Sequence, residues 1–465
     1  MVLKKNYLYR MLNKTYLHSL LNLDLPHNFQ DVVIYTEQKT ERLEYVSGFI
    51  FNHVLKLNYQ ITSDSLEFKK SSGIKINYSK NELEGIFQIT PHSFLTETGI
   101  TETKPVSFFK NEMIYFYKNE INKNFSYDIF SAVFYFVSRY EEWQAFEPDI
   151  HQRFETVSSL LYRNKFHLKP VVDIWINEMA KSLKEFYPGI KFPERKFQVI
   201  STIDVDNLYA YKSKGLFRTL GAFAKDLLKV DLKNFKERIL VLSGKKEDPF
   251  DIYASVSDFC FEKKIPLIYF FLFKTGTRYD RTVDPESTSY EKVFKILKEN
   301  HALLGVHPSY DSSVKRELLA QEINHLSQKA KDGIVLSRQH FLRFKIRSTP
   351  GLLLENGIEA DFSMGFASAP GFRAGTSHPF YYYDFNVEKT TGLLFVPFCV
   401  MDGVYTVYGN MEPEAAHKEM LEIAKEVKKV NGLFISVFHE RSFSDHLYKG
   451  FGTLYKNLHS ALKEL

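Results

Sequence analysis

Two carboxylates stand at the end of an apolar run, in Val199-Ile200-Ser201-Thr202-Ile203-Asp204-Val205-Asp206-Asn207. The run is rich in β-branched residues and predicts a strand. Residues two apart in a strand face the same side, so Asp204 and Asp206 would project together where the strand ends. Such a pair can divide hydrolytic work, one carboxylate acting as general base and the other as metal ligand. The alternative is that Asp206 and Asn207 only cap the following turn.

Two further polar pairs follow apolar runs. His307 is a candidate metal ligand, and because Pro308 can start a helical turn, Asp311 four residues later would face the same site. Arg338 and His340 lie on one face of an extended segment, where an arginine can lower the pKa of a neighbouring carboxylate and orient it. The alternatives are a loop histidine with a turn aspartate, and a surface ion pair.

Four more residues are candidates by position. His439 ends the apolar run LFISVF, and a histidine at the mouth of a buried strand can protonate a leaving group near neutral pH. Asp361 and Arg373 lie in a glycine-punctuated region that is typical of a substrate loop. Asp402 follows another apolar run. A hydrogen-bonded structural histidine and a plain turn are the alternatives.

The elements that would position these residues lie after residue 196. Apolar runs of strand length occupy residues 197–203, 266–273, 302–306, 333–336, 358–362, 393–398 and 433–438. Helical repeats lie between them, such as Ile252, Val256 and Phe259. This alternation predicts parallel βα units, in a barrel or a doubly wound sheet. About seven strands in roughly 270 residues favour a barrel, whose chemistry gathers at the carboxyl ends of its strands.

The first 190 residues have a different pattern. Residues 31–37 and 85–90 alternate like strands, and residues 126–143 predict an apolar helix opened by Ser126. Residues 151–184 continue in a helical pattern. Two prolines and a glycine interrupt the chain at residues 188–193. For 465 residues we therefore predict two domains, a smaller mixed α+β domain at 1–190 and a barrel at 191–465.

Taken in order, the motifs resemble those of the polysaccharide deacetylase family, the NodB-homology carbohydrate esterases with a distorted (β/α)7 barrel. TIDVDN resembles the family's strand that ends in an aspartate pair, and GVHPSYD its glycine-preceded histidine. SRQHF, followed by TPGLLLENGIEADFSMGF, resembles its arginine, helix and strand. LFISVFHE resembles its last strand, which ends in histidine. The resemblance covers residues 197–465, and the N-terminal extension indicates a divergent subgroup.

The resemblance implies metal-dependent hydrolytic deacetylation of a saccharide in surface-polysaccharide metabolism, with N-acetyl as the expected acyl group. It makes Asp204 the general base, held by Arg338, and His439 the acid. It assigns a divalent cation, expected to be zinc, to Asp206, His307 and Asp311. Substrate contacts would fall to the remaining candidates, His340, Asp361, Arg373 and Asp402. Two departures from the family pattern concern the metal: Val205 separates the aspartates, and Asp311 stands where a second histidine is expected.

Two other functions stay open at this stage. A glycosidase on the same barrel would set Asp204 against Asp361 or Asp402 across the scissile bond. A deacetylase-like scaffold whose metal site has decayed would bind carbohydrate without reacting. Metal content and acetate release would separate these functions from the deacetylase.

Composition narrows the class of protein. The net charge is +5 and the basic residues are scattered, so the sequence shows no basic patch typical of nucleic-acid-binding proteins. The two cysteines, Cys260 and Cys399, lie in apolar contexts and predict reduced core thiols. There is neither an uninterrupted apolar window of about 18 residues nor the apolar core of a signal peptide, so we predict no transmembrane span and a cytoplasmic location. The oligomeric state is left open.

Overall fold

The computed structural model describes residues 17–21, 23–24, 31–119 and 124–465. Most of the basic N-terminal stretch lies outside these residues. The fold is mixed α/β, and its described strands form sheets of four, nine and two strands. None of the helices in the described ranges combines the length and the apolar character needed to cross a bilayer.

The four-stranded sheet lies in the N-terminal part and is parallel, with the order β2-β1-β3-β4. Its strands are β1 (Val32–Thr36), β2 (Tyr59–Thr62), β3 (Ile74–Tyr78) and β4 (Phe87–Gln88). The strands predicted at 31–37 and 85–90 are thus confirmed. An antiparallel pair follows, β5 (Ser107–Lys110) and β6 (Met113–Phe116). The helices here are Glu41–Ser47, the π-helix Gly48–Leu55, Ser65–Lys70, Ile129–Val137, Tyr140–Trp143, Leu160–Arg163 and Val171–Phe186.

The helix predicted at 126–143 was wrong in detail. Asp128, not Ser126, caps it by accepting a hydrogen bond from the backbone of Ser131 at 3.1 Å. Arg139 then takes up a left-handed conformation (φ 57°) and divides the helix in two. The helical pattern at 151–184 is likewise interrupted, since only Leu160–Arg163 and Val171–Phe186 are α-helical there.

The nine-stranded sheet forms the C-terminal part and is curled. Its order is β12-β13-β11-β10-β9-β8-β7-β15-β14, and only the β12–β13 pair is antiparallel. The strands are β7 (Gln198–Val205), β8 (Leu267–Phe271), β9 (Leu303–Val306), β10 (Leu336–Ser337), β11 (Ala360–Asp361), β12 (Phe380–Asp384), β13 (Lys389–Phe395), β14 (Val400–Met401) and β15 (Leu433–His439).

A strand lies at each of the seven predicted runs, although β10 overlaps its run by Leu336 alone. The sequence did not predict β12 or β14. The helices that accompany the sheet are Leu216–Leu228, Leu232–Leu242, Tyr253–Lys263, Ser289–Glu299, Arg316–Ala330, Thr349–Glu355, Pro413–Lys429 and Phe451–Glu464. Because the paired strands are parallel, their carboxyl ends meet along one edge, where β15 places His439 opposite Asp204 of β7.

The two parts of the chain pack together through buried polar contacts. Arg373 forms an ion pair with Glu142 at 2.6 Å, and Ser377 donates to Asp173 at 2.6 Å. Buried apolar side chains from both parts form one contiguous cluster. The sheets are separate while the core is shared, so the division at residue 190 stays a prediction.

Candidate active site

Three residues that follow different strands converge at the carboxyl edge of the large sheet. Asp206 Oδ1 lies 3.3 Å from His307 Nε2 and 3.5 Å from His340 Nε2. All three ligand atoms lie within 4.8 Å of one another and could hold a metal ion. Asp206 Oδ1 and His307 Nε2 are buried and lack a hydrogen-bond partner among the described residues. One carboxylate oxygen and two imidazole nitrogens suit zinc and similar divalent ions.

A hydrogen bond at Nδ1 fixes the orientation of each of the two imidazole rings. His307 Nδ1 lies 2.5 Å from the carbonyl oxygen of Arg338, and His340 Nδ1 lies 3.0 Å from Asp280 Oδ1. A carbonyl can only accept a hydrogen bond, so this contact places a proton on His307 Nδ1 and leaves Nε2 as the ring nitrogen that faces Asp206. Backbone carbonyls and carboxylates are the usual partners that hold metal-binding histidines in this way.

Charge is concentrated around Asp206. Burial disfavours its ionised form, but Arg441 and His340 nevertheless hold the pKa of Asp206 well below its usual range. Arg441 also donates a hydrogen bond to the Asp206 Oδ2 atom. Burial opposes the charged form of His340 as well, yet Asp206 and Asp280 raise the pKa of His340 to about 9. Burial and the neighbouring Asp206 raise the pKa of Glu440 to about 8.

The cluster differs from the predicted set in one member. The Asp311 side chain is 51% exposed and pairs with Lys315 at 2.9 Å, so the structure does not bring Asp311 to the other two residues. No helix follows Pro308: the chain forms a hydrogen-bonded turn at 310–314, and buried Glu322 anchors its start by accepting a hydrogen bond from the Ser309 backbone at 2.9 Å. His340, predicted as a substrate contact, lies in the cluster instead.

Asp204 lies beside this cluster and is tied to Arg338. The guanidinium Nη1 donates to Asp204 Oδ1 at 2.7 Å and to Thr202 Oγ1 at 2.8 Å, and all three groups are buried. The Phe270 ring packs against the guanidinium, with its centroid 4.5 Å away. Gly305 makes room for this ring, since a Cβ there would lie 2.5 Å from it. Asp204 Oδ2 remains 4.0 Å from His307 Nε2.

His439 and Asp402 form a second pair on the other side of β7. His439 Nδ1 lies 2.7 Å from Asp402 Oδ1, and the His439 backbone donates to Asp402 Oδ2 at 2.7 Å. Burial favours the neutral ring, but Asp402 raises the pKa of His439 to about 9. With Nδ1 engaged, Nε2 is the nitrogen left to act at the cavity. Asp402, predicted as a substrate contact, is buried and holds His439.

The last two predicted substrate residues lie in the protein interior. Asp361 accepts hydrogen bonds from Ser337 Oγ at 2.6 Å and from the Ser363 backbone at 2.9 Å, and burial raises the pKa of Asp361 to about 6. Arg373 is buried in its ion pair with Glu142. Neither side chain borders the cavity that opens over Asp206, His307 and His340.

A cavity of about 490 Å³ opens over these groups. Asp204, the three cluster residues and His439 form its polar floor. Aromatic rings supply much of its wall, namely Phe250, Tyr279, Phe341 and Tyr408. Arg153 of the N-terminal part also borders it, and is held by Asp149 at 2.6 Å and by the carbonyl oxygen of Phe341 at 2.9 Å.

Sequence reasoning missed several polar residues of the site, among them Glu440, Arg441, Asp280 and Arg153. Glu440 and Arg441 directly follow His439, so the position after a buried strand could have indicated them. Asp280 and Arg153 lie in irregular segments without such a signal. Only the tertiary structure brings Arg153 to the cavity and Asp280 to Nδ1 of His340.

Comparisons with known proteins show only partial or distant similarity. A model described as "Family of unknown function (DUF7033)" matches residues 32–188, which is 157 of the 465 residues. No curated protein matches the chain.

Among solved structures, the chain is similar to one from Mycobacterium smegmatis assigned to the polysaccharide deacetylases (13% identity, TM-score 0.39, covering 59% of this chain and 87% of that one). It is also similar to a probable polysaccharide deacetylase from Pseudomonas aeruginosa PAO1 (10%, 0.36, 58% and 86%). A third likeness is to wild-type BA3943, a CE4 family pseudoenzyme from Bacillus anthracis (8%, 0.28, 57% and 62%). Values this low establish no family, so the functional interpretation rests on the side chains of the cavity.

Proposed function

We propose that this protein is a metal-dependent hydrolase that removes an acyl group, in the first place N-acetyl, from a saccharide. One observation carries the proposal. A buried Asp-His-His donor set, with two atoms that have no other partner among the described residues, lies between an arginine-held carboxylate and a carboxylate-held histidine. That combination supplies a cation site, a base and an acid at one cavity.

The cation would be held by Asp206, His307 and His340. Zinc is our first choice because its protein ligands are typically imidazole nitrogens and carboxylate oxygens. When bound, such an ion acidifies a water molecule and polarises the acyl carbonyl. His340 would have to give up its Nε2 proton to bind, which makes cation affinity dependent on pH.

Asp204 is the proposed base. Arg338 satisfies Oδ1, so Oδ2, which faces His307, is the atom that can take a proton from water. The ion pair with Arg338 fixes the direction of the carboxylate in a buried site. A base that is held rigidly requires little reorganisation at the moment of proton transfer.

His439 is the proposed acid. It stands opposite Asp204 in the register of neighbouring strands, with Asp402 engaging Nδ1. Its raised pKa keeps the ring protonated at neutral pH, so Nε2 can donate a proton to the departing amine. The aromatic walls of the cavity offer flat apolar faces against which sugar rings can pack.

The proposal includes the distorted (β/α)7 barrel and the domain boundary at residue 190. Two hydrogen bonds support closure of the curled sheet. Val396 donates to the carbonyl oxygen of Asp361 at 2.9 Å, and Cys399 donates to that of Ile435 at 3.3 Å. Residues 396–399 therefore bridge from the side of β11 to the side of β15.

Metal analysis coupled to acetate release tests the proposal. Purified chain should contain close to one divalent ion and release acetate from N-acetylated glucosamine oligomers. His340→Ala should lower both, whereas the matched variant Asp311→Ala should retain both. Bound metal that depends on His340 without acetate release, or neither property, would favour a saccharide-binding scaffold. New reducing ends in place of acetate would favour a glycosidase.

A further inference from the structure

A helical hairpin between β7 and β8 exposes large apolar side chains to water and buries a charged one. It consists of the helices Leu216–Leu228 and Leu232–Leu242. The one buried residue of the first helix is the charged Asp226, whereas Phe217 is 88% exposed and Leu228 is 85% exposed. Large apolar side chains on a water-facing helix favour an apolar partner.

The exposed apolar side chains lie on one face of each helix. At about 100° per residue, the residues of the first helix fall within roughly a third of its circumference. They are Leu216, Phe217, Leu220, Leu227 and Leu228. Leu232, Ile239 and Leu242 of the second helix extend the surface, and Val230 exposes its side chain in the turn. These nine residues are named the apolar face.

Basic residues surround the apolar face. Residues 214–246 contain nine lysine or arginine residues against three acidic ones, a net charge of +6. The whole chain carries +5, so the rest of the protein sums to −1. The positive charge of this protein is therefore concentrated in the hairpin and the residues that flank it.

The three acidic residues of the hairpin are already engaged. Asp226 pairs with Arg238 at 2.9 Å, Asp231 caps the second helix, and Glu237 pairs with Lys246. In contrast, Lys225, Lys229, Lys233 and Lys236 form no ion pair within the described ranges of the chain. These four lysines are named the lysine set, and their charge is free to meet an anionic partner.

The first helix packs chiefly against the second, through Phe223 and Phe235, whose ring centroids are 5.2 Å apart. Within the described ranges, no other element covers the apolar face. We propose that the hairpin docks on the surface of an anionic lipid bilayer, with the apolar face inserted at the headgroup boundary and the lysine set contacting anionic headgroups. Apolar residues on one face and basic residues beside them are what holds interfacial helices at such surfaces.

Docking would bring the cavity close to the membrane. Lys214 donates to Asn207, which borders the cavity, and Arg218 donates to the carbonyl oxygen of Arg281, another wall residue, at 3.1 Å. If the proposed function holds, the enzyme would thus meet saccharides carried on membrane-bound molecules. The docking itself does not depend on the hydrolytic activity.

Flotation of the full chain with lipid vesicles tests docking directly. We expect binding to vesicles of phosphatidylcholine and phosphatidylglycerol in equal parts, and much weaker binding to pure phosphatidylcholine. Replacing the lysine set with Gln should weaken binding by about 10²-fold or more. Phe217→Ser with Leu228→Ser should weaken it by about 10²-fold, since both side chains are exposed and contribute little to folding.

The matched control removes two exposed apolar side chains elsewhere, Val106→Ser with Val387→Ser, and should leave vesicle binding unchanged. Equal binding by the hairpin variants, or no vesicle binding by the wild type, overturns the proposal. So does a wild-type dimer that Phe217→Ser with Leu228→Ser converts to monomer in sedimentation without any vesicle binding. None of these readouts uses acetate release, so a failure here is distinct from a failure of the proposed function.

Discussion

Replacing Asp402 with Asn should shift the alkaline limit of activity to lower pH. Asp402 is fully buried and accepts four hydrogen bonds: two from His439, one from the Gly403 backbone and one from Ser442 Oγ. Its negative charge is what raises the pKa of His439 to about 9 against the burial of the ring. Asn has nearly the same shape but no charge, so the acid should lose its proton at a lower pH.

The size of the effect follows from the two pKa values. At pH 8.5 a histidine of pKa about 9 is about three quarters protonated, whereas one at the ordinary value of about 6.5 is about 1% protonated. The rate with an amide substrate at that pH should fall by roughly 75-fold, and much less at pH 6. Because the folded pKa is raised, the pair stabilises the fold fully below about pH 6.5, and this contribution is lost as the pH rises through about 9.

Two measurements check this prediction. An NMR titration of the His439 ring reports its pKa without any substrate, and acetate release against pH reports the acid in use. Asn would leave a buried donor of the site without an acceptor, which costs about 1–3 kcal/mol, so a thermal melt must confirm that the variant is folded. Ser442→Ala is the matched control, because it removes one hydrogen bond to Asp402 and keeps the charge.

A wild-type His439 that titrates near 6.5 would refute this role of Asp402. A folded Asp402→Asn variant that keeps the wild-type alkaline limit would refute it equally. A shift of the same size in Ser442→Ala would mean that geometry, not charge, controls the ring.

Three further predictions concern other parts of the site. Asp204→Asn should retain bound metal by elemental analysis while lowering turnover by about 10²–10⁴-fold, and unchanged turnover would remove the proposed base. His340→Ala should lose at least tenfold in zinc affinity by competition titration, whereas Asp311→Ala should match the wild type, and the reverse order would restore the ligand expected from sequence. Arg373→Met should lower the free energy of unfolding by about 3–5 kcal/mol in denaturant melts, because it leaves Glu142 charged and buried near Arg139 alone; a change below about 1 kcal/mol would contradict this.

Local sequence predicted those features that depend on neighbouring residues. Asp204 and Asp206 are two positions apart, so strand alternation predicts that both side chains face the same side, and both border the cavity. The apolar run before His439 predicts that this histidine lies at the end of a strand, and β15 does end at His439. The seven apolar runs similarly predicted strands, because continuous burial in a parallel sheet requires continuous apolar sequence.

Prediction from neighbouring residues failed where a contact with a residue distant in sequence determines the local structure. Asp311 was expected to share a site with His307 through a helical turn, but buried Glu322 anchors the segment and leaves Asp311 in solvent. The helix predicted at 126–143 breaks at Arg139, whose guanidinium is held by Glu141 and Glu142 and donates to the carbonyl oxygen of Arg373. Such contacts span up to 234 residues of sequence and leave no periodic signal.

The sequence by itself therefore determined which side chains stand at the ends of the strands, because that depends only on the two-residue period and on where each apolar run stops. Only the tertiary structure decided which of them meet. The order of the strands and the curl of the sheet bring His340 to Asp206, set Asp280 behind His340 and carry Arg153 to the cavity wall. Strand order and curl are properties of the whole packed core, and no local pattern encodes them.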